Sequence, residues 1–232
     1  MTPGAIVLAY HACDVTVRDA LVKRTLDTLT PSHGDYDWLG DGVYFFENDP
    51  HRADHFAQEA YEHPERLYSR QPIATPAVVG AVICAYRWLD LSTQLGIENY
   101  QAAYESLLDD RTSAGKDMPV NEPAFDGDET ILWRKQDCAV FNVLHQLRKD
   151  ANLPSIQVMR AAFYQGEIVE GTSEFREFTH VQLAVRDLSC IVGWFVPPGG
   201  KLMTDAEAVV AAKRLAAAKS ARTAAKKRMR AE

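Results

Sequence analysis

The sequence predicts an α+β fold with a largely antiparallel core. Three observations point there. Strand-like apolar runs crowd the end of the chain, near 157–164, 180–186 and 190–196; helical periodicities are interleaved with strands earlier; and there is no internal repeat. At 232 residues the chain is one domain, or one domain plus an appendage, and is long enough to bury a real core. We place the body at 1–200 and a basic helical appendage at 201–232.

The elements follow in order. "AIVLAY" (5–10) is a short apolar run ending at His11, and "VRDALVKRTLDTL" (17–29) carries apolar residues at helical spacing. The stretch "TPSHGDYDWLGDG" is full of breakers and reads as a loop. "VYFFE" (43–47) reads as a strand, and "DPHRADHFAQEAYEH" (49–63) as a helix with Asp49 at its cap and Pro50 in its first turn. "AVVGAVICAYRWLDL" (77–91) reads as one strand and "IENYQAAYESLLDD" (97–110) as a helix. A polar loop then runs through Glu129, and "DCAVFNVLHQLRKDA" (137–151) is helical. In the appendage, Thr204 and Glu207 have the spacing of a capping box, so one long helix is expected from there.

Composition excludes several classes. With 47% hydrophobic and 25% charged residues this is ordinary globular composition, and no apolar run approaches the roughly 18 residues of a membrane span. The N-terminus lacks the basic-then-apolar pattern of a signal peptide, so a cytoplasmic protein with no membrane partner is expected. Cys13, Cys84, Cys138 and Cys190 form no CxxC pair and read as reduced packing thiols, and no metal site is expected. Charge is uneven. Residues 213–232 hold eight Lys/Arg and one acid, a formal +7, which leaves −14 on the other 212 residues. Arg222, Lys226 and Arg230 recur at i, i+4 and line cations along one face. That face suits phosphates, an acidic partner, the chain's own acidic body, or solvent alone.

Candidate functional residues come from three places. Gly40 and Gly42 permit a tight bend and a close backbone approach directly before Tyr44, and Tyr44 and Phe46 share one strand face while Phe45 takes the other. His11 ends the first strand. His180 and Gln182 share a face of a late strand, and a Gln within an apolar strand must find partners or lose roughly 1–3 kcal/mol. Each of these also reads as core: a packed tyrosine, a satisfied histidine, a strand amide.

Together "YHAC" (10–13), "LGDGVYFFENDPHRADHFA" (39–57) and "HVQLAVRDLSCIVGWF" (180–195) resemble, in order, the three blocks of the ADP-ribosyltransferase superfamily, in the His–Tyr–Glu branch that includes diphtheria toxin and the poly(ADP-ribose) polymerases. The middle block, G-x-G-[IV]-Y-F with an Ala nine residues after the Tyr, is met by Gly40, Gly42, Val43, Tyr44, Phe45 and Ala53. In the third, Gln182 falls on the catalytic Glu, Asp187 on the family's Asp and Trp194 on its aromatic. The wording is more similar to bacterial members with Gln at that position. The appendage lies outside the resemblance.

The resemblance implies mixed, largely antiparallel sheets around a cleft for NAD, with peripheral helices and NAD as a substrate. His11 would bond a ribose hydroxyl, the backbone of Ala12 would grip the carboxamide, Tyr44 would stack on the nicotinamide and His55 would take the place of the second stacking tyrosine. Gln182 would hold the ribose, with Glu174, Glu177 and His180 toward the acceptor. Ala12, His55 and Gln182 depart from the family's Gly, Tyr and Glu. The implied activity is single ADP-ribose transfer to a macromolecule, in settings such as toxins and phage defence where an inhibitory partner protein is also expected; the acceptor is RNA, DNA or protein, and the basic appendage, outside the resemblance, leans toward nucleic acid. The alternative is a catalytically silent module that binds NAD, ADP-ribose or a protein partner.

Overall fold

The computed structural model describes residues 4–35, 37–66, 69, 71–124 and 131–229. Its elements are β1 (Ala5–Asp14), α1 (Val15–Val22), β2 (Val43–Glu47), α2 (Pro50–Glu62), β3 (Pro76–Ala85), β4 (Trp88–Asp90), α3 (Gln94–Ser113), β5 (Asn121–Glu122), β6 (Trp133–Arg134), α4 (Lys135–Asp150), β7 (Val158–Phe163), β8 (His180–Val185), β9 (Ile191–Phe195) and α5 (Asp205–Met229). The chain is α+β, with mostly antiparallel strand pairing. It divides into two compact units: Met1–Ile6, Thr30–Glu47 and Cys84–Cys190 form the first, and Val7–Leu29, Asn48–Ile83 and Ile191–Glu232 the second.

In the first unit the strand order is β4-β7-β8-β2. The pair β4 and β7 is parallel; β7 with β8 and β8 with β2 are antiparallel. Helices α3 and α4 bury Ala103, Leu107, Val140, Phe141 and Leu144 against Met159, Ala161 and Ala184 of the strands. The start of α4 is capped from a distance, because the Asn121 side-chain oxygen accepts the N–H groups of Gln136 (2.9 Å) and Asp137 (3.3 Å).

In the second unit the order is β1-β3-β9, with β3 and β9 antiparallel. Asp14 organises it. One carboxylate oxygen caps α1 through the Thr16 N–H (3.0 Å), and the other accepts the N–H groups of Ala74 and Thr75, both at 2.9 Å. The appendage is docked. Thr204 and Glu207 form the expected capping box, Ala211 is buried beside Val15 and Ala77, and Arg222 donates to the Ser69 carbonyl at 2.7 Å. Lys213, Arg214, Lys219 and Lys227 are exposed. Arg230, and residues 125–130 of the polar loop, lie outside the described residues, and only Arg222 of the expected cationic face has a described side chain.

Two local expectations are corrected. The first helix begins at Val15, where Asp14 caps it, and stops at Val22, because Arg24 adopts a left-handed φ of 56° that no helix continues. The single strand expected over 77–91 breaks at Tyr86 and Arg87, whose N–H groups both turn to the Gln157 side-chain oxygen at 3.0 and 3.2 Å. Chain 71 residues away in sequence decides that turn.

One titration is built into the first unit. His145 on α4 is largely buried, its Nε2 has no hydrogen-bond partner among the described residues, and burial together with the Arg186 and Arg148 cations pulls its pKa from 6.5 to about 3. Between those two pH values the unfolded chain binds the proton and the folded chain does not, so stability is lost as pH falls through that window. His145→Gln is expected to flatten this part of the acid limb. Urea midpoints for both proteins between pH 7 and 4 check it; parallel acid limbs would contradict it.

Candidate functional site

Strand register gathers the polar residues of β8 with the aromatic ones of its neighbours. Phe46 of β2 and Ala161 of β7 lie opposite Gln182, Tyr44 lies opposite Ala184, and Phe163 lies opposite His180. Directly opposite residues share a sheet face and period two adds alternate ones, so Tyr44, Phe46, Phe163, His180 and Gln182 stand on one face. The chain brings Tyr44 and Gln182 of two distant motif blocks to adjacent strands.

Gln182 is oriented by a residue to which the sequence reading gave no role. The Trp38 indole Nε1 lies 2.7 Å from Gln182 Oε1. An indole N–H only donates, so the amide atom facing it is the oxygen. Nε2 then carries two N–H donors with no hydrogen-bond partner among the described residues. Trp38 also meets the edge of Phe163 at 4.9 Å, and the Arg134 guanidinium lies over both rings, 4.9 Å from Trp38 and 4.3 Å from Phe163. The signal for Trp38 was the need itself: an amide in an apolar strand requires a donor.

His180 is a buried strand histidine. Its ring lies 4.9 Å from Phe46 and 5.4 Å from Phe163, and its Nδ1 lies 2.6 Å from the Phe178 carbonyl. A carbonyl only accepts, so Nδ1 is the protonated nitrogen. Glu174 and Glu177 are exposed on the loop from β7 to β8, whose backbone pairs Glu177 N–H with the Glu167 carbonyl at 3.0 Å. Asp187, past the end of β8, accepts from Ser189 at 2.6 Å and from Gln157 Nε2 at 2.9 Å, bonds that hold its carboxyl below the usual range.

Tyr44 has a structural task. Its hydroxyl donates to the Gly40 carbonyl at 2.8 Å and accepts the Leu39 N–H at 3.0 Å, and its ring packs on the α3 and α4 core. Burial, then the Asp37 carboxylate, push the phenol well above its usual pKa, so it stays protonated at neutral pH. The two glycines serve the same loop. Gly40 has φ 76°, and a side chain on Gly42 would come within 3.0 Å of the Val185 carbonyl on β8. The close backbone approach at Gly42 is to a neighbouring strand.

The second unit holds the other candidates. His11 is half-buried on β1. Ala12 beside it is buried against Ala57, Ala60 and Ile73, in strand backbone without a positive φ, so a methyl group there adds no strain. His55 is half-buried on α2. All four cysteines are free, and burial raises Cys13 to about 12 and both Cys138 and Cys190 to about 11, so these three thiols stay protonated at neutral pH. Among the described residues one group could offer three metal ligands, Glu59, Glu62 and His63, but the last is engaged with Glu65 at 3.2 Å. No helix among them is long and apolar enough to cross a membrane. No protein-family model, curated protein or solved structure matches the chain.

Trp38→Phe keeps an aromatic ring but removes the only donor to Gln182 Oε1 among the described residues. It is expected to cost about 1–3 kcal/mol of stability, and Gln182→Leu in the same chain to restore most of it, because removing both partners leaves nothing unsatisfied. Urea unfolding of the two single variants and the double variant measures this coupling. Additive losses would show that the bond carries no such weight.

Proposed function

We propose that the chain is a mono-ADP-ribosyltransferase of the ADP-ribosyltransferase-like α+β fold, which takes NAD as its substrate and transfers ADP-ribose to a macromolecule. The observation that carries this reading is the register that sets Tyr44 and Gln182 on one face of β2 and β8, with the Gln182 amide held by Trp38 and its N–H donors left to a ligand. In the reaction the bond between ribose C1′ and nicotinamide breaks, and its electron pair neutralises the pyridinium nitrogen. An acceptor lone pair forms the new bond to C1′, and the acceptor's proton leaves. Gln182 is assigned to the ribose hydroxyl and Tyr44 to the nicotinamide ring; His11, the Ala12 backbone and His55, which belong to the second unit, keep only the NAD-binding roles the resemblance implies. Glu174 and Glu177 are assigned to the acceptor side and are the carboxylates available to take its proton. His180 is assigned to positioning, through the aromatic rings on either side of it.

A second reading, a catalytically silent module that binds NAD or ADP-ribose, is favoured by the neutral amide itself. Glutamine keeps a hydrogen bond but lacks the negative charge that would stabilise a developing oxocarbenium ion, a loss of roughly 10²–10³ in rate where one electrostatic group is removed. Purified protein incubated with NAD separates the two. Nicotinamide release is expected, Gln182→Ala should abolish transfer with the fold intact, and Gln182→Glu should keep or raise NAD cleavage. Wild-type transfer by the Ala variant would remove Gln182 from the site, and NAD binding without cleavage would favour the silent module.

Nucleic acid is favoured over protein as acceptor by the exposed cations of α5. Replacing Lys213, Arg214, Lys219 and Lys227 by Gln keeps Ala211 and Arg222 in place, and should weaken RNA or DNA binding and flatten the salt slope by at most about 3.6, the counterions of four phosphates. Binding and labelling across about 50–200 mM salt measure it. An unchanged slope and no labelled nucleic acid would make protein the acceptor.

A further inference from the structure

The first unit contains a pocket of about 510 Å³ that none of the assignments above uses. Its volume falls in the roughly 300–1,000 Å³ range of small-molecule sites. Phe141 lies at its base, Trp38 and Tyr100 form half-buried walls, and Tyr164, 60% exposed, stands at the rim. The one carboxylate among the described lining residues is Asp137, in the first turn of α4. Its Oδ1 accepts the Tyr100 hydroxyl at 2.7 Å, and its Oδ2 has no partner among the described residues. No Lys, Arg or His is among the described lining residues.

This lining selects a ligand by elimination. Four aromatic side chains reward a flat π face. A carboxylate only accepts, so the ligand edge reaching Asp137 must carry donors, which a flat heterocycle supplies as N–H groups. The described lining offers phosphate no cation of its own, and Arg160, which reaches Ser92 at its edge, is already paired with Glu47 and Asp90, so phosphate gains little by entering. A nucleobase satisfies all three demands. Among the bases, guanine presents an adjacent ring N–H and amino group that together match a carboxylate. Adenine and cytosine offer an amino group beside an acceptor nitrogen, and uracil flanks its single N–H with carbonyls that a carboxylate repels.

We propose that this pocket binds a nucleobase through its donor edge, with guanine preferred, and that it is the acceptor subsite of the enzyme. Position supports the second clause. Trp38 is both a wall of the pocket and the donor to Gln182, and Ala161, also in the wall, pairs with Gln182 across β7 and β8. The acceptor role rests on the transferase reading; base binding does not.

The test uses the full chain without NAD and nucleosides rather than nucleotides, so that no phosphate contributes. Guanosine, adenosine, cytidine, uridine and N-acetylarginine methylamide are titrated by saturation-transfer NMR. Guanosine is expected to bind tightest. Asp137→Asn should weaken it at least tenfold, and Tyr164→Ala, at an exposed rim position with little bearing on folding, several-fold. Absence of guanosine binding, binding indifferent to both variants, or preferential binding of the arginine derivative would overturn the pocket assignment, the last in favour of a protein side chain. Nicotinamide release without base binding would remove the pocket and leave the transferase reading, and base binding without NAD cleavage would do the reverse.

Discussion

An amide in the middle of an apolar sheet is tolerated only where its oxygen finds a donor, and in the first unit that donor comes from a loop 144 residues away. The bond from Trp38 Nε1 to Gln182 Oε1 joins the loop before β2 to β8, the strand that pairs with both β2 and β7. Leaving the oxygen unsatisfied would cost about as much as a typical point mutation removes from a domain. The constraint fixes two things at once: where the loop lies, and which end of the amide faces outward.

The loop is fastened at further points, each a backbone group that would otherwise be stranded. Leu39 N–H and the Gly40 carbonyl both meet the Tyr44 hydroxyl, and the Asp41 carbonyl accepts from Arg186 at 2.9 Å. Burial lowers the Arg186 pKa, with the Asp41 carboxylate opposing the shift. A tyrosine at the head of β2 therefore serves the loop through its oxygen while its ring remains part of the core. The sequence pattern around it reads as a ligand platform or as a packed core tyrosine, and the geometry shows the ring packed in the core with its oxygen fastening the loop.

Much of the fold was legible because it is local. Strand β2 was placed closely from its aromatic run after the glycine turn and helix α2 from Asp49 and Pro50, and the Thr204–Glu207 box was read correctly for α5. What could not be read was carried by side chains distant in sequence. Gln157 turns the chain at Tyr86, Asn121 caps α4, and Asp14 gathers N–H groups sixty residues on. The site divides the same way. That Gln182 needed a donor was evident; that Trp38 supplies it required the fold. Asp137 and Tyr100 are far apart in sequence and gave no motif, since their pairing depends on how α3 packs on α4.

The orientation of Gln182 bears on where the proposed chemistry draws its rate. With the oxygen committed to the indole, the amide offers N–H groups, so a ribose hydroxyl bonded to it would act as acceptor rather than donor. That arrangement can position the sugar, but it withholds the electron density a carboxylate would supply to the developing cation. The deficit is of the size that orientation can offset, since holding an acceptor in a near-attack position is worth several kcal/mol where it replaces a bimolecular encounter. In the proposal, the pocket walled by Trp38 adjoins Gln182 through the Trp38–Gln182 bond, so an acceptor bound there would be oriented toward the ribose. On this argument a neutral amide at position 182 and the aromatic pocket belong together: the proposed enzyme would rely less on stabilising a free cation and more on presenting a bound nucleophile to it.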